Sequence, residues 1–216
     1  SGQIHPIIPR ITILFIFVFD GIWQTDEAEQ AAVYGQKPGQ VKVRDIDGNK
    51  VIDADDKQIL GQRSPKWIGS ITSTFRYKDF DLSVYLYTQQ GAQVQDAFMS
   101  SFMTFEGNYN QLDVDYWTEN NPSNEFPQPG NKGKYYDTMR YIDVSFVRVG
   151  SITLGWNIPK EWTKKIGIKN ARLYFTTNNP FTFSSYKGFD PEWATQNTWG
   201  TVTGYTTYLI GTKIEF

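Results

Sequence analysis

"KDFDLSVYLYTQQG", Lys78 to Gly91, sets Phe80, Leu82, Val84 and Leu86 on alternate positions, with Asp81, Ser83, Tyr85 and Tyr87 between them. Alternation sustained over such a length is the period of a β-strand with one apolar and one polar face. The pattern recurs on both sides. "WIGSITSTFRY" (Trp67–Tyr77) runs straight into it, and "SITLGWNIP" (Ser151–Pro159) sets Ile152, Leu154, Trp156 and Ile158 against Ser151, Thr153, Gly155 and Asn157. "NARLYFTTNNPFTF" (Asn170–Phe183) opposes Leu173 and Phe175 to Arg172, Tyr174 and Thr176. The closing "GYTTYLIGTKIEF" (Gly204–Phe216) puts Tyr208, Ile210, Ile214 and Phe216 on one side and Lys213 and Glu215 on the other. Each run has about 9–11 residues, the length that crosses a bilayer when tilted.

Two all-β folds accommodate such strands. In a soluble β-sandwich the apolar faces meet in a core. In a transmembrane β-barrel they face lipid, and the opposite faces line water. Rows of Ser, Thr, Asn, Tyr, Lys and Glu on the polar faces suit a wet lumen, and Trp67, Tyr77, Tyr87, Trp156 and Tyr208 toward strand ends suit interfacial girdles. The stretch from Gln90 to Asn131 is too long and irregular for a hairpin turn. Short helices are expected within it at Val94–Phe105 and Val114–Glu119, and "NNPSNEFPQPGN" is loop chemistry.

Composition narrows the partners. The chain has 216 residues and a net charge of -2, from 21 basic and 23 acidic side chains, which excludes an electrostatic footprint for nucleic acid. Aromatics are 16% against 39% hydrophobic residues, a balance that favours β-structure with rings at interfaces. Cysteine is absent. The longest apolar run, Ile11 to Phe19, falls far short of the ~20 residues of a membrane-spanning helix, and it lacks the flanks of a secretory signal.

Several blocks, in order, resemble the C-terminal third of SusC/RagA-like TonB-dependent outer-membrane transporters. They are "FDGIWQTDEAEQAAVYG" from Phe19 onward through Gly91, "YWTENNPSNEFPQPG", "YIDVSFVRVGSITLGWNIPK", "NNPFTFSSYKGFDPEW" and the terminal aromatic. The resemblance covers residues 19–216 and implies C-terminal antiparallel strands of a barrel of about 22 strands, with long extracellular loops and a plug domain in the lumen. It also implies residence in the cell outer membrane, among its lipid, and import of glycans or peptides. The partners it implies are a SusD-like lipoprotein that hands over the oligosaccharide or peptide substrate, and TonB acting through an N-terminal part. A sheet of this width cannot close alone, so a segment of a longer protein is expected. Residues 1–18, "SGQIHPIIPRITILFIFV", depart from the family as an atypical leader or divergent strand.

The sharpest local motif is "DIDGNKVIDADD", Asp45 to Asp56. Against a twelve-residue calcium loop, Asp45, Asp47 and Asn49 take positions 1, 3 and 5, Val51 offers a carbonyl at 7, and Asp53 and Asp56 stand at 9 and 12. Lys50 replaces the usual Gly at 6, and an Asx-rich turn without Ca2+ is the competing reading. No catalysis is expected, because the one histidine, His5, lies in the leader and there is no thiol. Asp190 and Glu192 could form a carboxylate pair, but such pairs are common on solvated loops. For ligand contact the loop aromatics Trp193 and Trp199 are expected to stack on sugar or peptide, helped by Asp190 and Gln196, with Tyr116 and Trp117 secondary. Tyr208, Ile210, Ile214 and Phe216 resemble the terminal signature read by the outer-membrane assembly machinery. The alternative to the transporter is a secreted, calcium-stabilised β-sandwich that binds glycans.

Overall fold

The computed structural model describes residues 13–96, 102–103, 113–131, 133–194 and 204–216. In chain order the strands are β1 (Ile13–Phe17), β2 (Phe19–Ile22), β3 (Val41–Val43), β4 (Lys57–Gln62), β5 (Trp67–Tyr77), β6 (Phe80–Gln90), β7 (Gln93–Gln95), β8 (Tyr141–Asp143), β9 (Phe146–Asn157), β10 (Asn170–Ser184) and β11 (Thr207–Glu215). The five long strands make one sheet in the order β11-β10-β9-β6-β5, with every pair antiparallel. Three small two-stranded ribbons, β1-β4, β2-β3 and β7-β8, belong to the connections.

The register turns the sequence alternation into continuous rows. Phe75, Leu82, Leu154, Phe175 and Ile210 lie side by side across all five strands. One residue along, Thr74, Ser83, Thr153, Thr176 and Leu209 form the neighbouring row on the opposite face. There the Thr153 and Thr176 hydroxyls share a hydrogen bond of 2.9 Å. The apolar row is uncovered: Phe75 is 64% exposed and Ile210 75%. A β-sandwich would bury these side chains against a second sheet, and nothing described packs over them. The fold is therefore all-β and mostly antiparallel, and the described residues do not form a sandwich.

The buried cores lie elsewhere, among the long connections. Ile22, Val41, Val43, Trp117, Tyr135 and Tyr136 form one cluster, with Phe17, Ile52 and Met139 against it. Ala92, Val94 and Val144 form a second beneath Tyr186 and Ala194. Residues 13–17 of the expected leader pair as β1 with β4.

Of the two short helices expected between Gln90 and Asn131, Val114–Glu119 is corrected, whereas the Val94–Phe105 stretch begins in a strand and is helical at Phe102. Val94 sits in β7, and part of the Val94–Phe105 stretch lies outside the described residues. Val114–Glu119 is extended, bridging Tyr116 to Phe126 and Thr118 to Asn121. The reason is local competition for backbone groups: Asn121 Nδ2 donates to the Tyr116 carbonyl at 2.9 Å and Ser123 Oγ to that of Asp115 at 2.7 Å. Core burial of Trp117 then fixes the segment.

Candidate functional site

On the polar face, at the end of the sheet joined by the long connections, a guanidinium gathers two carboxylates. It arrives there through a break in the alternation. Below Gly150 the even residues Ile152, Leu154 and Trp156 of β9 take the apolar face. Between Ser151 and Val149 the register with β6 shifts, and Val149 then faces Leu86. A matching shift in β10 between Asn178 and Phe181 includes Asn179 at φ 51°. An extra residue reverses which side chains point to each face. Val147 and Val149 thereby continue the apolar face, and Arg148 turns to the polar one between Tyr87 and Thr182.

Arg148 Nη2 lies 2.7 Å from Asp190 Oδ1, and Nη1 lies 2.8 Å from Glu192 Oε2. Its Nε donates to Thr182 Oγ1 at 2.9 Å, and its plane sits 5.0 Å from the Phe146 ring centre. The Tyr87 hydroxyl donates to the same Glu192 oxygen at 2.7 Å. The Arg148 and Asp190 side chains are 3% and 5% exposed, while that of Glu192 is 33% exposed. Asp190 also accepts from the Glu192 backbone N–H at 2.9 Å and so starts the helical turn Pro191–Ala194. The backbone of Gly204 packs against the Asp190 carboxylate so closely that a Cβ there would overlap it. One buried cation thus ties the β10–β11 connection to the sheet. Farther down the same face, Arg172 pairs with Asp81 at 2.5 Å beside Gly155.

These contacts revise the sequence expectations for ligand binding. Asp190 is buried and committed to Arg148, so it is not a free acceptor. Trp117 is 3% exposed, with Nε1 donating to Gln24 Oε1 at 3.0 Å, and presents no face to a ligand. Tyr116 is 37% exposed beside it. Trp193 is half-buried on the turn beyond Asp190. Gln196 and Trp199 lie outside the described residues. Arg148 itself went unread, although an arginine between two valines just before a glycine was its signal.

In the Asp45–Asp56 loop the carboxylates of Asp45, Asp47 and Asp56 converge within 4.8 Å of one another. Asn49 Oδ1 accepts from Val51 N–H at 2.7 Å and Asp53 Oδ1 from Asp55 N–H at 2.9 Å, so these two side chains also brace the loop. Lys50 adopts φ 67°, making the turn that glycine makes in calcium loops. Burial pushes the Asp45 carboxyl up, but N–H groups of Lys50 and Gly48 and the Tyr34 hydroxyl outweigh it and hold its pKa below the usual value.

No family model matches the chain. It is 30% identical over 156 residues to TonB-dependent receptor P3 of Formosa agariphila, covering 72% of this chain and 16% of that protein. It is 28% identical over 186 residues to TonB-dependent receptor SusC of Bacteroides thetaiotaomicron, covering 83% and 18%. The RagAB peptide transporter structure superposes with a TM-score of 0.75 at 20% identity, over 94% of this chain and 23% of that one. The chain matches the C-terminal part of a SusC/RagA-like TonB-dependent receptor. This SusC/RagA-like segment spans about a fifth of the length of the curated relatives it matches. Those relatives are named as receptors, and the superposed structure is a transporter. In this segment the Arg148 cluster anchors the β10–β11 connection to the five-stranded sheet.

Proposed function

We propose that this chain is part of the wall of an outer-membrane import barrel of about 22 strands, working with a SusD-like lipoprotein and powered through TonB. The single observation that carries the reading is the sheet itself. A complete apolar row, Phe75 to Ile210, lies uncovered on one face, and hydroxyl, amide and charged side chains predominate on the other. Aliphatic and aromatic rows without a protein partner suit hydrocarbon, and an antiparallel sheet left open at both sides suits continuation into a closed barrel. The substrate class is an oligosaccharide or a peptide; the likeness to SusC and to the RagAB peptide transporter motivates both. Trp193, with Gln196 and Trp199, is proposed as the stacking element of the β10–β11 loop.

The test is cellular. A bacterium lacking the receptor that contains this chain should lose growth on one glycan or peptide source and regain it from the intact gene, in a TonB-dependent manner. The receptor should sediment with the outer membrane and precipitate when detergent is removed. A monodisperse, detergent-free protein would overturn the barrel reading.

The loop Asp45–Asp56 is proposed as a calcium site, because three carboxylates converge where Lys50 supplies the turn. Millimolar calcium should raise the melting midpoint relative to chelator, and Asp45→Asn with Asp56→Asn should abolish the rise; no shift with calcium would remove the site.

A further inference from the structure

We propose that the β9–β10 connection, residues 158–169, binds an anionic phospholipid, with lysines holding the headgroup and a cleft beside Trp162 taking an acyl chain. The inference rests on the barrel reading above. Lys78 and Asp79 alone join β5 to β6, at the end of the sheet where β9 meets β10 and the chain reaches Phe216. The opposite end carries the long connections 91–145 and 185–206. Short turns of outer-membrane barrels are periplasmic, so this connection meets the inner, phospholipid leaflet.

The connection folds over the apolar face rather than into the lumen. Trp162 packs edge-on to Trp156 at 6.1 Å between ring centres, and Trp156 stacks on Phe80 at the same distance. Tyr77, Phe80, Trp156 and Leu173 form one row of that face. Backbone bonds make the connection a fixed shape: Ile158 N–H to the Ala171 carbonyl at 2.9 Å, Ile168 N–H to that of Thr163 at 3.0 Å and Lys169 N–H to that of Glu215 at 2.9 Å. Ile158, Trp162, Ile166, Ile168 and Ile214 line a cleft of about 200 Å³. Its rim is apolar and open, with Trp162 58% and Ile166 72% exposed.

Charge decides the headgroup. Lys160, Lys164 and Lys165 are exposed along the turn, and none makes an ion pair among the described residues. Lys169 pairs with Glu215. A tryptophan and lysines beside an aliphatic cleft, level with the strand ends, match the depth at which ring and ammonium groups settle in a bilayer. Anionic headgroups gain about fivefold in local enrichment per lysine near the surface.

The test uses the whole receptor in phosphatidylcholine nanodiscs containing phosphatidylglycerol, with bromine on the acyl chains of one lipid or the other. The fluorescence component lost in Trp162→Phe should be quenched, severalfold more by brominated phosphatidylglycerol than by brominated phosphatidylcholine at equal fraction. Lys164→Gln with Lys165→Gln should bring that ratio to about one, as should high salt. Equal quenching by the two lipids in the wild type would overturn the headgroup assignment. If the Trp156 component is quenched and that of Trp162 is not, this inference falls and the barrel stands. If neither is quenched, both fall.

Discussion

Arg148 holds two carboxylates that lie on a loop, and its removal would leave Asp190 buried without a counter-charge. Loss of one partner from a buried pair costs about 3–5 kcal/mol. Arg148→Met is therefore expected to release the β10–β11 connection while the strands persist: cleavage by added protease between residues 185 and 206 should accelerate at least tenfold, with the β-sheet circular dichroism unchanged. Arg148→Lys should restore only part of the protection, because an ammonium cannot bridge both carboxylates as a guanidinium does. Asp45 gives a pH prediction. Its folded pKa is depressed, so its stabilising contribution is present above the unfolded value of about 3.9 and is lost as pH falls through the folded one. Hydrogen-exchange protection of residues 45–51 should be lost in acid, and Asp45→Asn should show that loss already at neutral pH. The two clusters differ in how far they could be read from the sequence. The Asp spacing was visible in sequence, whereas Arg148 needed the register of three strands.

At the scale of the element, alternation named all five long strands, because period-2 side-chain placement follows directly from an extended backbone. It failed at the bulge in β9, where one added residue swaps the faces and local sequence carries no notice beyond Gly150, while Leu173, Phe175, Phe181 and Phe183 of β10 keep one parity through their own shift. It failed also for Val114–Glu119, where side chains of Asn121 and Ser123 compete for the backbone. The two faces of β11 should respond differently to charge. Ile210→Arg, in the apolar row, should cost about 2–4 kcal/mol in urea unfolding of lipid-reconstituted receptor. Lys213→Ala, on the opposite face, should change stability by less than about 0.5 kcal/mol. Equal effects would contradict the assignment of faces.

Over the whole molecule, the apolar residues divide between two destinations. Those of the connections close into small cores around Trp117 and Val94, and most of those of the sheet, Phe75, Leu154, Phe175 and Ile210 among them, stay exposed, with Phe146 and Val149 buried at the end near the long connections. Phe216, 86% exposed, extends the apolar side of β11 past its last paired residue. Phe216→Ser is expected to lower the fraction of receptor inserted in the outer membrane severalfold, read as heat-modifiable migration on gels, without altering ligand affinity of the inserted fraction. The sequence by itself determined the strands, their two-faced character and the likeness to SusC/RagA-like receptors, because these depend on local spacing along the chain. Only the tertiary structure decided that the row from Phe75 to Ile210 lies uncovered among the described residues, that Trp117 belongs to a core and that Arg148 clamps a loop. Each of these depends on which distant segments meet, and a buried ion pair or a bare row exists only once strands far apart in sequence lie side by side.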